Sequence, residues 1–229
     1  MKKDLLEKKV KAKEDLEGID LEKAKLKGAD LRKANFKKAN FERADLRNTD
    51  LRGADLEEAN LERANLIQAE LKSAQLKKAN LTEALMDKSD CRDANFEQSI
   101  LEEAEMNRTD FQGAKLERSD MTKVKATDCN FRDCDLDYVI LERADLKGSS
   151  FRAAQIRSAK LERADFRETN LRDADLRKSE MSRANFSDSD MSGVDLRGAD
   201  VSFAVFKSVE GLTEEQIDFI KEQQGIYEA

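Results

Sequence analysis

The side chains of this 229-residue protein that could do chemistry are three cysteines, a series of hydroxyls and 49 carboxylates. Thr49, Ser89, Thr109, Ser149, Thr169 and Ser189 recur at multiples of twenty residues. A hydroxyl nucleophile needs a neighbouring base, and the chain has no histidine to supply one. Cys91, Cys129 and Cys134 lack the paired spacing of a zinc site, and no glycine-rich loop is present to cradle a phosphate. The carboxylates are distributed evenly, each with a Lys or Arg nearby, rather than gathered as an acid–base pair. These residues therefore predict no catalytic site, no metal and no cofactor. The hydroxyls are expected to bond backbone at turns, and the thiols to fill small buried slots.

What positions them is a five-residue beat. From Leu21 to Phe206 every fifth residue is apolar apart from the small Ala126 and Cys91, with 20 Leu, 9 Phe and 5 Met among the 38 positions. Two residues before each stands a small side chain, most often Ala, and between them usually Asp or Asn, as in Ala54-Asp55-Leu56. On a helix this period would rotate the apolar position by ~140° per repeat, and on a flat strand it would alternate faces. A coil that turns a corner in every repeat keeps both the apolar and the small residue inside. Such repeats bury a core only by stacking on one another.

A second period sets the number of sides. Leu21-Glu22-Lys23-Ala24 returns as Phe41-Glu42-Arg43-Ala44 and Leu61-Glu62-Arg63-Ala64, twenty residues apart. Twenty residues is four pentapeptides, so each coil has four sides. Coils at the ~4.8 Å spacing of paired strands make a rod about 45 Å long. The chain resembles the pentapeptide-repeat proteins, built on A-(D/N)-L-x-x, over residues 19–209. That resemblance implies an all-β fold, a right-handed quadrilateral β-helix of about nine to ten coils. Residues 1–18 are expected as an N-terminal cap or a flexible segment, with Leu6 and Val10 spaced for a short helix. Residues 210–229 are expected as a helical cap.

The C-terminal reading rests on Thr213 and Gln216 as a capping box, acidic Glu214 and Glu215 in the first turn, and Gly225 as a stop. Ile217, Phe219 and Ile220 give that helix an apolar face, and the last coil carries Phe203 and Val205 at outward positions. The two are expected to cover each other and shield the open edge of the solenoid. Leu212, Ile217, Phe219, Ile220, Tyr227, Phe203 and Val205 are also the candidate contact of a homodimer. Inside the rod, Ala126 replaces a large side chain, and Val124, Cys129, Cys134 and Val139 are expected to refill the space. Phe111, Phe131 and Phe151, and again Phe166, Phe186 and Phe206, are spaced to stack.

Function is left to the outward positions. Ile67, Leu85, Ile100, Tyr138 and Ile140 are apolar where the pattern asks for polar residues, which marks a candidate partner patch centred on Tyr138 and Ile140. The basic column Arg32, Arg52, Lys72, Arg92, Arg132, Arg152 and Arg172 is flanked by Asp30, Asp50, Glu70, Asp90, Asp110 and Asp190, which should pair with it. The net charge is −7 and no basic face carries interleaved aromatics, so direct nucleic-acid binding is not expected. No apolar stretch is long enough for a membrane span, and unpaired cysteines suit a reducing, cytoplasmic setting. These features predict a non-enzymatic scaffold or spacer that binds another protein. The resemblance offers an alternative: a DNA mimic that binds DNA gyrase or topoisomerase IV, as in quinolone-resistance members of the family. Charge summed by wall of the rod lies only between −4 and +1, far from a phosphate backbone.

Overall fold

The computed structural model describes residues 2–229. Its regular elements are helix α1 (Lys3–Lys11), strand β1 (Val205–Lys207), helix α2 (Glu214–Glu222) and strand β2 (Ile226–Glu228). From Leu16 to Glu210 the chain is a β-helix-like solenoid. Parallel bridges join residue i to i+20 without a break in register, from Asp20↔Asn40 through Asp190↔Glu210. The walls are not strands of several residues, as the word β-helix suggests. Each contributes one bridged residue, because the turn occupies the other four positions of the pentapeptide.

A single repeat accounts for all five of its backbone N–H groups, as the chain's burial demands. Taking Leu21 as centre, its N–H donates to Asn40 O at 2.7 Å, and the Lys23 N–H to Glu42 O at 2.8 Å, both in the next coil. Ala24 N–H closes the turn on Leu21 O at 3.0 Å. The residue before a centre donates to the preceding coil, as Asn40 does to Ile19 O. The fifth donor, Glu22 N–H, is met by the Asp20 carboxylate at 3.1 Å. That last bond explains why Asp or Asn precedes the centre: its side chain is the right length for a donor two residues on.

The second corner residue of nearly every turn has a positive φ, between 51° and 73° along the rod. Most of these are not glycine, and they include Tyr138, Ala153 and Phe203. Left-handed backbone costs a side-chain-bearing residue roughly 1 kcal/mol, and here the cross-coil bonds on either side offset it. One trace of it lies in the sequence. From 23 to 208 this column contains no Val, Ile or Thr, the residues that tolerate positive φ least.

Inside, the Leu, Phe and Met centres and the small residues between them are buried throughout. Phe111, Phe131 and Phe151 stack at 5.0 and 4.8 Å between centroids, and Phe166, Phe186 and Phe206 at 5.0 and 5.1 Å. A tilted Phe151–Phe166 contact at 5.3 Å joins the two stacks across a corner. The coil geometry also begins earlier than the centre at Leu21: Leu16 is buried and Gly18 N–H already donates to Lys37 O. Over it lies α1, with Leu6 fully buried and Val10 packed against the core. Lys3 Nζ donates to Gly28 O at 2.8 Å, and the Glu7 carboxylate receives Asp30 N–H at 2.9 Å.

At the other end α2 carries the expected capping box between Thr213 and Gln216. Ile220 is fully buried, while Leu212, Phe219 and Tyr227 are half-buried against the core and Ile217 is half-buried outside it. Three features differ from the sequence reading. Phe203 is not covered by the helix: it sits at a left-handed corner, at φ 58°, and is 52% exposed. Gly225 is not the left-handed stop, since Gln224 takes that conformation at φ 63°. Gly225 is needed for contact instead, because a Cβ there would lie 2.7 Å from Ile220 Cγ2 and 2.9 Å from Ile220 O. Finally, residues 226–228 form a strand, β2, pairing in parallel with β1 so that Val205, half-buried, faces Ile226 in register.

Candidate protein-binding surface

The hydroxyl column does structural work. Thr49, Thr109 and Ser149 donate to carbonyls 23 residues earlier, at Leu26, Met86 and Ala126, over 3.1, 2.7 and 2.7 Å. Thr169 and Ser189 instead donate to the carbonyl of their own turn. Ser89 is the exception, facing Cys91 Sγ and Thr109 Oγ1. The thiols of Cys129 and Cys134 occupy the same relation, donating to Met106 O and Phe111 O at 2.9 Å, so they stand in for Ser and Thr. Burial pushes both thiols up to about 12 and Cys91 further still. Val124, Cys129, Cys134 and Val139 are all buried around Ala126, and the turn there is opened: Cys129 N–H donates to Ser149 Oγ at 2.9 Å.

The charged columns form a lattice. Asp and Arg two apart make forked pairs at Asp30–Arg32, Asp45–Arg47, Asp90–Arg92, Asp175–Arg177 and Asp195–Arg197, with the carboxylate also capping the Arg N–H. The Arg32 fork holds the Asp30 carboxyl down at about 2, and the other guanidiniums lower their partners in the same sense. Pairing within the basic column is less complete than its spacing suggests. Lys72 meets Asp93 at 3.8 Å rather than Glu70 or Asp90, and Arg132 and Arg152 pair with no described carboxylate. Their preceding positions hold the neutral Asn130 and Ser150.

Summed by coil rather than by wall, the charge alternates. Residues 87–106 carry two basic and seven acidic side chains, 107–126 five and three, 127–146 two and six, and 147–166 five and two. Ion pairs between coils follow from this, as at Lys123–Glu103 and Lys125–Glu105, both 2.7 Å.

Against that polar lattice the five outward apolar residues separate into two grades. Tyr138 and Ile100 are 51% and 44% exposed, whereas Ile67, Leu85 and Ile140 are half-buried. Ile100 and Ile140 lie on one wall, each bridged to Asp120 of the coil between them. Tyr138 projects from the adjacent corner at φ 58°, with the Arg118 guanidinium 5.2 Å from its ring centroid. Ile67 and Leu85 flank another corner, where Asn65 bridges Leu85, away from Tyr138. Among the described residues no three His, Cys, Asp or Glu side chains converge as a metal would require. No described helix is long and apolar enough to cross a membrane.

Two models of pentapeptide repeats match the sequence, one over residues 15–53, 49–87 and 164–202 and another, for the pentapeptide repeat region, over 104–180. The chain belongs to the pentapeptide-repeat family. No curated protein matches it by sequence. Among solved structures, HetL, a pentapeptide repeat protein involved in heterocyst differentiation regulation in the cyanobacterium Nostoc, is 26% identical. The match covers 90% of this chain and 97% of HetL, with a TM-score of 0.48. A pentapeptide repeat protein of the Arabidopsis thaliana thylakoid lumen is also 26% identical, over 49% of this chain and 71% of its own, with a TM-score of 0.38. Full-length QnrB1, a plasmid-mediated fluoroquinolone resistance protein, is 15% identical over 92% of this chain and 97% of its own, with a TM-score of 0.35. In this pentapeptide-repeat protein the buried lattice follows the repeat, and Tyr138, Ile100 and Ile140 are apolar exceptions at its outward positions.

Proposed function

We propose that this pentapeptide-repeat protein is a non-enzymatic scaffold or spacer that binds another protein through the wall bearing Ile100 and Ile140 and the corner bearing Tyr138. The supporting observation is Tyr138 itself. It is a large aromatic on a projecting corner of a rod whose other outward positions are overwhelmingly polar, and Tyr and Arg are the residue types that concentrate binding energy at interfaces. The proposal includes a right-handed, four-sided β-helix with α1 and α2 as end caps, and a reducing, cytoplasmic setting for its three unpaired cysteines. The duplex-DNA-mimic reading, aimed at a topoisomerase, is the weaker one. A mimic needs continuous negative charge along the axis, and here acidic coils alternate with basic ones.

Affinity capture from native lysate tests the patch, with Tyr138→Glu and Ile140→Glu compared against the unaltered chain. Loss of a captured protein with both variants supports the proposal, and an unchanged set of captured proteins removes the patch. Homodimerisation through the C-terminal end is proposed on the exposed Phe203 and Ile226. Sedimentation at about 100 μM, with Phe203→Glu as the disrupting variant, decides it: a monomer before substitution refutes the dimer.

A further inference from the structure

Beside Tyr138 the corner is notched. Successive coils place Arg118, Tyr138, Ser158, Lys178 and Gly198 in one corner column. Ser158 is short, so a groove of about 350 Å³ opens between Tyr138 and Lys178, lined by Asp137, Tyr138, Arg157, Ser158, Arg177 and Lys178. At two coil spacings, those flanking residues stand ~10 Å apart.

The groove's charge is set by which groups are already used. Gln155 precedes the turn where Asp or Asn usually stands, so Arg157 N–H is served from the coil below, by Asp137 Oδ1 at 3.0 Å. The same carboxylate takes the Arg157 Nε and Nη2, and Asp137 is thereby buried and fully occupied. Arg177 is committed through Nε and Nη2 to Asp175, at 2.8 and 2.6 Å. Each guanidinium has five N–H donors, and both forks leave Nη1 without a partner among the described residues. Lys178 Nζ, Ser158 Oγ and the Tyr138 hydroxyl likewise have none. The groove thus presents cationic and hydroxyl donors on one side and an aromatic ring on the other, while its carboxylate is spent inward.

We propose that this notch docks an acidic segment of a partner protein, with two or three carboxylates on Arg157, Arg177 and Lys178 and an apolar side chain against the Tyr138 ring. The proposal rests on the protein-binding reading above and specifies the partner's chemistry. Charge complementarity favours an acidic peptide over nucleic acid because the basic band is short. Residues 147–186 carry ten basic and six acidic side chains, but 127–146 below carry two and six, and 187–206 above carry one and four. A duplex, with a charge every ~1.7 Å, would run at once into repelling coils; a peptide of six residues would not.

Fluorescence anisotropy with a labelled Glu-Asp-Glu-Leu-Asp-Glu peptide, at about 50 mM and 500 mM salt, tests this. Saturable binding that weakens with salt is expected. Lys178→Glu and Ser158→Glu should each weaken it tenfold or more, and Tyr138→Ala severalfold. Lys88→Glu, an equal charge change at the opposite corner of a distant coil, should leave it unchanged. Lys178, Tyr138 and Lys88 are exposed and Ser158 is half-buried, and unaltered melting temperatures establish that the variants fold. Absence of saturable binding, equal loss in Lys88→Glu, or tighter binding of a 20-base-pair duplex with the same dependence on Lys178 would each overturn the proposal. A captured protein lost with Ile140→Glu but retained with Lys178→Glu would also overturn it, while leaving the protein-binding reading intact.

Discussion

Replacing Ser149 by Ala should be unusually destabilising for so small a change. Most turns of the rod close by a direct bond from the small residue to the preceding centre, such as Cys134 N–H to Phe131 O at 3.3 Å. At Ala126 the Ser149 hydroxyl stands in for that bond, accepting Cys129 N–H at 2.9 Å and donating to Ala126 O at 2.7 Å. Ser149 and Ala126 are fully buried and Cys129 nearly so. Deleting the oxygen strands one donor and one acceptor, each worth about 1–3 kcal/mol when left unsatisfied. The space vacated is smaller than the ~30 Å³ share of a water molecule, so solvent does not rescue them. The expected loss is about 2–6 kcal/mol. Ser189→Ala is the control: its hydroxyl donates to Phe186 O, which also accepts Ser189 N–H, so neither group is orphaned. That variant should lose about 1 kcal/mol. Guanidinium unfolding midpoints compare the two, and amide exchange at Cys129 locates the defect. Equal losses within about 0.5 kcal/mol, with Cys129 still protected, would show that the turn closes by itself.

Gly225→Ala should release the C-terminal segment, because the new methyl meets Ile220 Cγ2 and two backbone oxygens at 3.3 Å or less. Limited proteolysis should cut within 211–229 while the rod stays resistant; unchanged protection would refute the contact. Stability should be level between about pH 5 and 7.5, since no histidine is present, and should fall above about pH 8.5, where the unfolded chain's thiols ionise and the three buried ones do not. The depressed carboxyls of Asp30, Asp45, Asp90, Asp175 and Asp195 contribute fully above their unfolded value of about 4. That contribution falls away as the pH drops toward the folded value, about 2 for Asp30, so acid-induced loss should begin below pH 4 and not at 6. Burial and raised thiol pKa values predict no reaction of Cys91, Cys129 or Cys134 with Ellman's reagent in the folded chain and three equivalents after unfolding. Fast reaction of any one in native buffer would contradict the packing.

The inward half of the molecule was readable from the chain alone because one rule repeats at every fifth residue. A Leu at 56 or a Phe at 131 has no alternative place to be buried once the coil turns corners, so centre, small slot and twenty-residue register follow from period. The same holds for the Thr213 capping box, whose bonds span three residues. Where the sequence reading departed from the structure, the deciding contact was made by another coil or another element. Phe203 and Gly225 owe their roles to the corner geometry and to the approach of Ile220. Strand β2 exists because β1 offers it an edge, since three residues have too little intrinsic preference to form a strand by themselves. The hydroxyl bridge at Ala126 and the stand-in carbonyl bonds of Cys129 and Cys134 likewise join residues about twenty apart.

The candidate surface divides in the same way. That Tyr138 and Ile100 break the outward polar pattern is visible in the residues themselves, and so is the shortness of Ser158. That Ile67, Leu85 and Ile140 are half-buried, that Asp137 is turned inward to serve Arg157, and that a notch is left beside Tyr138 are facts of stacking. Sequence by itself determined the buried lattice, because local period and side-chain size suffice to specify a coil that can bury its core only by repetition. The tertiary structure alone decided which outward groups remain free to bind, because each donor's availability depends on what the coils above and below have already taken.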